Sequence, residues 1–222
     1  MNASALTDRA IVGARPIIEP HDQYRQPRES AALVRSLSAF PVPDLSDAVG
    51  RLYTMSHSIR PLYPECPPLA GTACTVRAPC GDNKGVKVAV DLLRAGDVLV
   101  IDAQGFTDWC AGGFSMLRSA IADGRLAAVI VDGAYRDIAE FRKTGVPVYG
   151  RAISPATGPK LGPWQTNVPV SCGGVIVNPD DVVVGSLDGV VVIPHAHAER
   201  VREHLADRAR RKQASGATGN LP

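Results

Sequence analysis

The sequence lacks the patterns by which several classes of protein are recognised. It contains no apolar run long enough to span a membrane, and residues 1–15 hold no apolar core of signal-peptide length. It also contains no P-loop, no Gly-x-Gly-x-x-Gly fingerprint, no Gly-x-Ser-x-Gly elbow and no convincing Ser-His-Asp order. These absences speak against a membrane partner, a nucleotide site of the usual kinds and a serine hydrolase.

The spacing of the cysteines forms no recognisable pair. The five cysteines are odd in number, and none is spaced as in a zinc knuckle or a redox motif. Reduced thiols in a cytoplasmic protein are therefore the simplest interpretation. The net charge of +2 offers no strong field for nucleic acid, so we expect no nucleic-acid partner. His195 and His197 lie two residues apart at a helix start and should point to different sides, which disfavours a metal site there.

The chain is long enough to bury a full core in one domain. With 222 residues, strand-like and helix-like segments alternate through its middle, and the chain ends mainly in strands. This order predicts an α/β domain built from layers of sheet and helix. Residues 1–27, which are rich in proline and charge, predict an N-terminal arm. We expect the folded domain over residues 28–213 and a flexible tail over residues 214–222.

Hydrophobic periodicity and turn residues predict the individual elements. The predicted strands are 69–78, 98–102, 126–131, 146–149, 168–177, 181–184 and 190–193. The predicted helices are 29–38, 44–49, 86–93, 115–122, 138–143 and 194–211.

The most informative stretch is Val129–Asp137. It begins in an apolar run rich in β-branched residues, which predicts a strand that is covered on both faces. Asp132-Gly133 predicts a turn that ends this strand, and Arg136 and Asp137 follow where the next helix should start. A strand end that opens into a helix is where α/β proteins place their chemistry.

Arg136 and Asp137 are open to two interpretations. The guanidinium of Arg136 is a planar fork that suits a carboxylate, and the carboxylate of Asp137 is a hard oxygen ligand for a cation. Alternatively, Asp137 only caps the helix and Arg136 only forms an ion pair on the surface. This stretch alone leaves both interpretations open.

Three loops could also contribute to a site. Gly81-Asp82-Asn83 precedes a helix, whose free N–H groups suit an anion, although a plain turn and cap is the alternative. Ala111-Gly112-Gly113 predicts a flexible loop before the next helix. Lys160 lies in a loop rich in glycine and proline, 153–163, where a lone lysine is usually only solvated.

Six motifs follow one another in a fixed order: Gly71-Thr72-Ala73, Gly81-Asp82-Asn83, Ala95-Gly96-Asp97, Val131-Asp132-Gly133 with Arg136-Asp137, Asn167-Val168-Pro169-Val170, and Asp188-Gly189-Val190 with Pro194. Taken together they resemble the RraA-like family. This family includes the class II pyruvate aldolases that act on 4-hydroxy-4-methyl-2-oxoglutarate and 4-carboxy-4-hydroxy-2-oxoadipate. The resemblance covers roughly residues 44–206, which is most of the chain.

The resemblance implies a fold and an activity. The fold would be the β/β/α swivelling-type domain of the family, assembled into trimers or hexamers with the site at a subunit interface. The activity would be that of a divalent-metal-dependent lyase that cleaves a 4-hydroxy-2-oxo acid and releases pyruvate. Decarboxylation of oxaloacetate would accompany it. The partner would be a small 2-oxo acid, and Mg²⁺ or Mn²⁺ would be bound by Asp137.

The resemblance also assigns roles to single residues. Arg136 would contact the oxo-acid end of the substrate, and the backbone amides of Met116 and Leu117 would hold that end. Asn83 and Lys160 would line the same site. Both residues match the family's pattern, although their local context alone favours ordinary structural roles.

The sequence departs from the family pattern at two acids. The aldolase signature places an acid at the position of Ser115, and an acid from the neighbouring subunit's C-terminal helix aligns near Lys212. In the family both acids hold metal-bound waters. Asp108 could replace one of them if Gly112-Gly113 marks a small insertion.

These departures keep other functions open. A non-catalytic regulator is one of them, because the enterobacterial RraA proteins inhibit an endoribonuclease and lack the aspartate that matches Asp137. Another is an enzyme of the same family that acts on a different carboxylic acid. Retention of Asp137 favours an enzyme over a regulator.

Overall fold

The structure is a computed structural model that describes residues 21–22 and 31–216, with side chains for residues 31–213. Most of the predicted N-terminal arm and residues 217–222 of the predicted tail lie outside the described residues. In chain order the elements are β1 (His21–Asp22), α1 (Ala31–Ser38), α2 (Val42–Val49), β2 (Arg60–Pro61), β3 (Leu69–Arg77), α3 (Lys84–Leu92), β4 (Asp97–Asp102), β5 (Cys110–Gly113), α4 (Phe114–Ala122), β6 (Leu126–Arg136), α5 (Ile138–Thr144), β7 (Val148–Ile153), β8 (Gln165–Thr166), β9 (Val170–Cys172), β10 (Val175–Val177), β11 (Val182–Ser186), β12 (Gly189–Ile193) and α6 (Ala198–Gly216).

A parallel sheet forms the centre of the fold. Strands β3, β4, β6 and β7 lie side by side in that order, and each pair is parallel. Every residue of β4 is buried, as expected for a strand that is covered on both faces. Helices α3, α4 and α5 connect these strands and bury apolar side chains against the sheet, including Val86, Leu117 and Phe141.

A second layer covers the other part of the sheet. Strands β11 and β12 form an antiparallel hairpin, and β11 continues the sheet antiparallel to β3. Helices α1, α2 and α6 pack on this hairpin around a second apolar cluster that contains Leu37, Leu45 and Leu205. The two clusters place α3, α4 and α5 in a different layer from the C-terminal helix α6.

Strand β6 is longer than the sequence predicted. The prediction that Asp132-Gly133 ends this strand is wrong, because β6 continues to Arg136 with a shift of register between Val131 and Ala134. The segment after β4 pairs with it there, since the amide of Ala134 donates to the Phe106 carbonyl at 3.2 Å. A Cβ at Gly133 would lie 2.8 Å from that carbonyl oxygen. The glycine therefore permits a close approach between segments and does not make a turn.

The predicted flexible loop at Ala111-Gly112-Gly113 is also wrong. These residues form the buried strand β5, which lies parallel to β6 and pairs Gly113 with Arg136. Local glycine content predicts freedom of the backbone, but the partner strand supplies hydrogen bonds that glycine content does not reveal.

Other boundaries differ in smaller ways. The strand predicted at 168–177 is the hairpin β9–β10, which turns at Gly173 and Gly174 with φ of 57° and 79°. Helix α2 begins at Val42, two residues before the predicted start, with Pro41 at its N-cap position. Strand β7 extends to Ile153. None of the helices within residues 31–216 is both long and apolar enough to cross a membrane.

Candidate functional site

Arg136 and Asp137 form the junction between β6 and α5. Asp137 has φ of 61° and ψ of 33°, a left-handed conformation that is uncommon for residues other than glycine. It occupies the N-cap position of α5, but its side chain makes no capping hydrogen bond. The carboxylate is about one-third exposed and lies 3.9 Å from Nε of Arg136. The capping interpretation therefore accounts for the position of Asp137 but not for its carboxylate.

Gly113 brings the start of α4 against this carboxylate. A Cβ built on Gly113 would lie 2.6 Å from Oδ2 of Asp137 and 2.8 Å from Cγ of Arg136. Gly113 is also the N-cap residue of α4, and no side chain caps that helix. The first N–H groups of a helix have no intrahelical acceptors, and the helix dipole makes this end positive. The junction thus combines one carboxylate, one guanidinium and one uncapped helix start.

The residues predicted on α4 lie at its beginning. Ser115 is exposed, Met116 is half-buried and Leu117 is fully buried. A role for the last two through their backbone amides is compatible with this burial, because the side chain of Leu117 belongs to the core. Ser115 offers a hydroxyl at this place and no carboxylate.

Asp108 and Lys212 belong to other segments than the β6–α5 junction. Asp108 precedes β5, whose last residue is Gly113, and its side chain is exposed. The carbonyl of Asp108 accepts a hydrogen bond from the Ser154 hydroxyl at 2.7 Å. Lys212 is exposed on α6, which packs against α1 and α2. A role for Asp108 in place of the missing acid stays a prediction.

Asn83 stands at the start of α3 with a buried side chain. Its Nδ2 donates to the Thr157 hydroxyl at 3.3 Å, and its backbone amide donates to the Pro159 carbonyl at 3.2 Å. Its Oδ1 is buried and accepts no hydrogen bond from the described residues. Buried amide oxygens are nearly always paired, so this oxygen is a candidate contact for a ligand or water.

One loop connects Asn83 to the junction. In this loop, residues 154–163, the carbonyl of Ala156 accepts a hydrogen bond from the Cys110 amide at 2.7 Å. The carbonyl of Pro155 accepts one from Arg136 at 3.3 Å. Lys160 lies in this loop with an exposed side chain and no ion-pair partner within the part of the chain that the structure describes. The fold therefore brings the segments around Arg136, Asn83 and Lys160 together, although they are far apart in sequence.

Two buried interactions beside the site were not anticipated from the sequence. Asp82, next to Asn83, is 3% exposed and accepts backbone hydrogen bonds from the 154–163 loop. Asp132, inside β6, is 5% exposed; its carboxylate forms an ion pair with Arg151 and accepts from the Gly173 amide at 2.8 Å. An acidic residue beside glycine is a weak signal of such roles, because the partners lie far away in sequence.

Burial also determines the state of the thiol nearest this second interaction. Desolvation, with the nearby carboxylates of Asp132 and Asp102, raises the pKa of the Cys172 thiol well above its usual value. Cys172 therefore stays protonated at neutral pH and packs as an apolar side chain.

The fold and the site together define an α/β protein whose parallel strands deliver a carboxylate, a guanidinium and a helix start to one place. The chain belongs to the RraA-like family: the family's sequence pattern, described as Aldolase/RraA, matches residues 42–192.

Relatives and solved structures agree with this membership. The chain is 37% identical over 181 residues to the Halalkalibacterium halodurans protein named "Putative 4-hydroxy-4-methyl-2-oxoglutarate aldolase", covering 82% of this chain and 83% of that protein. It superimposes on Streptomyces coelicolor RraAS2, described as an unusual member of the RNase ES inhibitor RraA family. That match has a TM-score of 0.75 at 26% identity and covers 86% and 98% of the two chains.

A third match comes from Thermus thermophilis RraA, described as an RNA-processing inhibitor. The TM-score is 0.61 at 28% identity, and the match covers 70% of this chain and 93% of that one. The predicted RraA-like α/β fold is confirmed by these structures.

Proposed function

We propose that this protein is a divalent-metal-dependent lyase that cleaves the C–C bond of a 4-hydroxy-2-oxo acid and releases pyruvate. The observation that carries the proposal is the carboxylate of Asp137, which makes no capping hydrogen bond and lies beside Arg136 and the start of α4. The aldolase names of the curated relatives support a lyase. Oxaloacetate, which loses its distal carboxylate to give the same pyruvate enolate, is a second expected substrate.

The residues at the junction fit a Mg²⁺ or Mn²⁺ ion with a single protein ligand. Among the described residues no group of three or more His, Cys, Asp or Glu side chains could hold a metal. Magnesium keeps several waters and needs only one or two carboxylates together with substrate oxygens, so Asp137 alone suffices. The space beside its Oδ2 exists because residue 113 has no Cβ. When bound, the ion would polarise the 2-oxo group and stabilise negative charge during cleavage.

Arg136 and the start of α4 would bind and orient the oxo acid. The guanidinium fork matches a carboxylate, and its hydrogen bond to the Pro155 carbonyl fixes its direction before a ligand arrives. The amides at Met116 and Leu117 would hold the same end of the substrate. Asn83, which is hydrogen-bonded to the 154–163 loop, and Lys160, within that loop, would contact its distal half.

The reaction can then be written in terms of bonds and protons. The C3–C4 bond breaks, the 4-hydroxyl group loses its proton to become the carbonyl of a second oxo acid, and the electron pair passes into the enolate of pyruvate. A proton delivered to C3 completes pyruvate. In this chain Ser115 can hold a water but is not a base at neutral pH, so the proton steps should be slow unless the substrate assists them.

The test is a metal-dependent pyruvate-release assay. We expect the protein to form pyruvate from 4-hydroxy-4-methyl-2-oxoglutarate or oxaloacetate with Mg²⁺, and to stop when the metal is chelated. Asp137→Asn should abolish metal-dependent turnover, and Arg136→Lys should reduce it by about tenfold or more because lysine cannot reproduce the bidentate contact. Asp137→Asn is the matched variant, since asparagine tolerates a left-handed backbone. Metal-dependent turnover that survives Asp137→Asn would refute the assignment.

A non-catalytic binding role is the second candidate. It is favoured by the absence of an acid at Ser115 and by the RNA-processing inhibitors among the structural matches. A protein of this kind would release no pyruvate with any metal and would instead bind and inhibit an endoribonuclease. The pyruvate assay and an endoribonuclease inhibition assay on the same preparation therefore separate the two functions.

The assembly and the compartment belong to the same proposal. We expect a trimer or a multiple of it, because Arg136 and Asp137 are one-third exposed in a single chain and a partner could close the site. Exposed apolar side chains flank this region, namely Trp109, Ile153 and Leu161. The described cysteines are all free, which agrees with the cytoplasm as the expected compartment.

A further inference from the structure

The carboxylate of Asp82 joins two segments that are 79 residues apart. Its Oδ1 accepts a hydrogen bond from the Lys84 amide at 2.7 Å, at the start of α3. Its Oδ2 accepts from the amides of Leu161 at 2.7 Å and Gly162 at 3.0 Å, in the 154–163 loop. Asp82 is 3% exposed, so these three bonds form away from bulk water. A buried carboxylate is stable only when such donors surround it.

These contacts hold the backbone of Lys160 from both sides. The amide of Leu161, the next residue, donates a hydrogen bond to the Asp82 carboxylate. The carbonyl of Pro159, the preceding residue, accepts one from the Asn83 amide at 3.2 Å. The two loops also touch nearby, because a Cβ on Gly158 would collide with the backbone carbonyl of Gly81. The main chain at Lys160 is thus fixed although its side chain is exposed.

We propose that Asp82 is a positioning residue that holds Lys160 where its ammonium meets a second carboxylate on the substrate. This role rests on the proposed function of the site. Asp82 touches no substrate itself and acts through the loop. The 2-oxo acid of the proposed function already carries such a distal carboxylate, and its near carboxylate would lie at Arg136.

A carboxylate is required at Asp82 because three N–H groups converge on it. The Asp82→Asn substitution would turn one acceptor into an NH₂ group that faces N–H donors, whichever way the amide is rotated. Hydrogen bonds to a charged group are stronger than neutral ones, so the loop should detach in that variant. Asp82→Glu keeps both oxygens and the charge but adds a methylene, so it should displace the loop without releasing it.

The experiment compares two ligands in the presence of Mg²⁺ by titration calorimetry. Pyruvate has only the near carboxylate, and 2-oxoglutarate has a distal one as well. We expect Asp82→Asn to lower the affinity for 2-oxoglutarate by about tenfold or more, because a charge-assisted contact is lost. The affinity for pyruvate should stay within about twofold of the parent. Asp82→Glu should cause a smaller loss in the same direction. Lys160→Met should lower the affinity for 2-oxoglutarate as much as Asp82→Asn does. The double variant should bind 2-oxoglutarate no more weakly than Lys160→Met alone.

A matched control and a proteolysis readout separate positioning from general stability. Asp97, the first residue of β4, is also buried, and its carboxylate accepts hydrogen bonds from the Arg94 amide and the Thr72 hydroxyl. Asp97→Asn should therefore lower the stability of the fold without changing the affinity for either ligand. Trypsin should cut after Lys160 faster in Asp82→Asn than in the parent, because the Leu161 amide is released.

The possible outcomes decide between this role and the proposed reaction. If Asp82→Asn lowers the affinity for both ligands equally, or does not lower the affinity for 2-oxoglutarate, the positioning role is overturned. The proposed lyase function is unaffected by either result. Selective weakening without any pyruvate release would keep the role and reject the lyase. A parent protein that binds neither ligand with Mg²⁺ would reject the site, and the role of Asp82 with it.

Discussion

Asp137 adopts a backbone conformation that carries a free-energy cost. Left-handed conformations at residues other than glycine cost of the order of 1 kcal/mol, and they persist where the surrounding structure requires them. Here the conformation turns the chain from β6 into α5 and leaves the carboxylate beside Gly113, where it caps nothing. The strain is therefore located at the residue on which the proposed chemistry depends.

This strain gives a prediction about Asp137→Ala and Asp137→Gly. Both variants should lose metal-dependent turnover. The glycine variant should be more stable than the alanine variant by about 1 kcal/mol, because glycine adopts φ of 61° without a Cβ penalty. Urea unfolding of the two variants measures the difference. Equal stability would show that the backbone at this position is not strained.

Ser115 gives a second prediction at the level of a single residue. Ser115→Asp restores an acid at an exposed position in the first turn of α4, where negative charge also interacts favourably with the helix dipole. Because a positioned acid–base group contributes roughly a hundred- to ten-thousand-fold, oxaloacetate decarboxylation should rise by about tenfold or more.

The control for this prediction is Ser119→Asp, one turn further along the same helix. Ser119 is also exposed, so its substitution adds the same charge away from the junction and should leave the rate unchanged. Equal rates for Ser115→Asp and the parent would show that another group already performs the proton transfer.

At the scale of elements, strand β5 and helix α4 meet at Gly113, which lies against the carboxylate of Asp137. The extended backbone of Gly113, with φ of −168°, is open to any residue, so only the missing side chain matters there. Gly112, one residue earlier, faces the opposite side of the strand. A Cβ on it would lie 2.8 Å from the Tyr135 hydroxyl in the core.

These two neighbouring glycines predict opposite phenotypes. Gly113→Ala should push the Asp137 carboxylate aside and reduce Mg²⁺ affinity by about tenfold or more while changing stability little, since that carboxylate is partly exposed and can move. Gly112→Ala should instead cost about 1–3 kcal/mol of stability through overpacking. Metal titration and urea unfolding of both variants measure the contrast. A Gly113→Ala variant that binds Mg²⁺ like the parent would remove Asp137 as the ligand.

At the scale of the whole molecule, the site lies on an exposed surface of the chain. Arg136, Asp137 and Lys160 are all accessible in one chain, and the apolar side chains of Ile153 and Leu161 are exposed as well. Ile153, the last residue of β7, pairs with Tyr135 of β6 and is 56% exposed, and Leu161 is 68% exposed beside Lys160. A neighbouring copy of the chain could cover these residues and enclose the ligand.

The resulting prediction concerns the oligomeric state. Light scattering at micromolar concentration should give a mass of three chains or a multiple of three. Ile153→Asp should weaken the assembly, because a charge would be buried in the new contact. Leu187→Asp on the β11–β12 turn is a control at another exposed apolar residue. A stable monomer of the parent protein would contradict the prediction.

The sequence by itself determined the strand-to-helix junction and the order of the elements around it. The apolar run before Asp132 and the helical spacing after Asp137 are local signals, so they placed Asp137 correctly at the start of α5. Arg136 was expected at the same helix start but is the last residue of β6, because the strand continues past Asp132-Gly133. Family motifs added Asn83 and Lys160, whose own surroundings in sequence favoured plain structural roles.

Only the tertiary structure decided how the distant segments meet. The buried strand β5, the register shift at Gly133 and the bonds from Asp82 to Leu161 all depend on partners far away along the chain. Glycine in sequence indicates freedom of the backbone but not whether a neighbouring strand removes that freedom. Likewise, an aspartate before a helix looks like a turn residue, because the donors that bury its carboxylate come together only on folding.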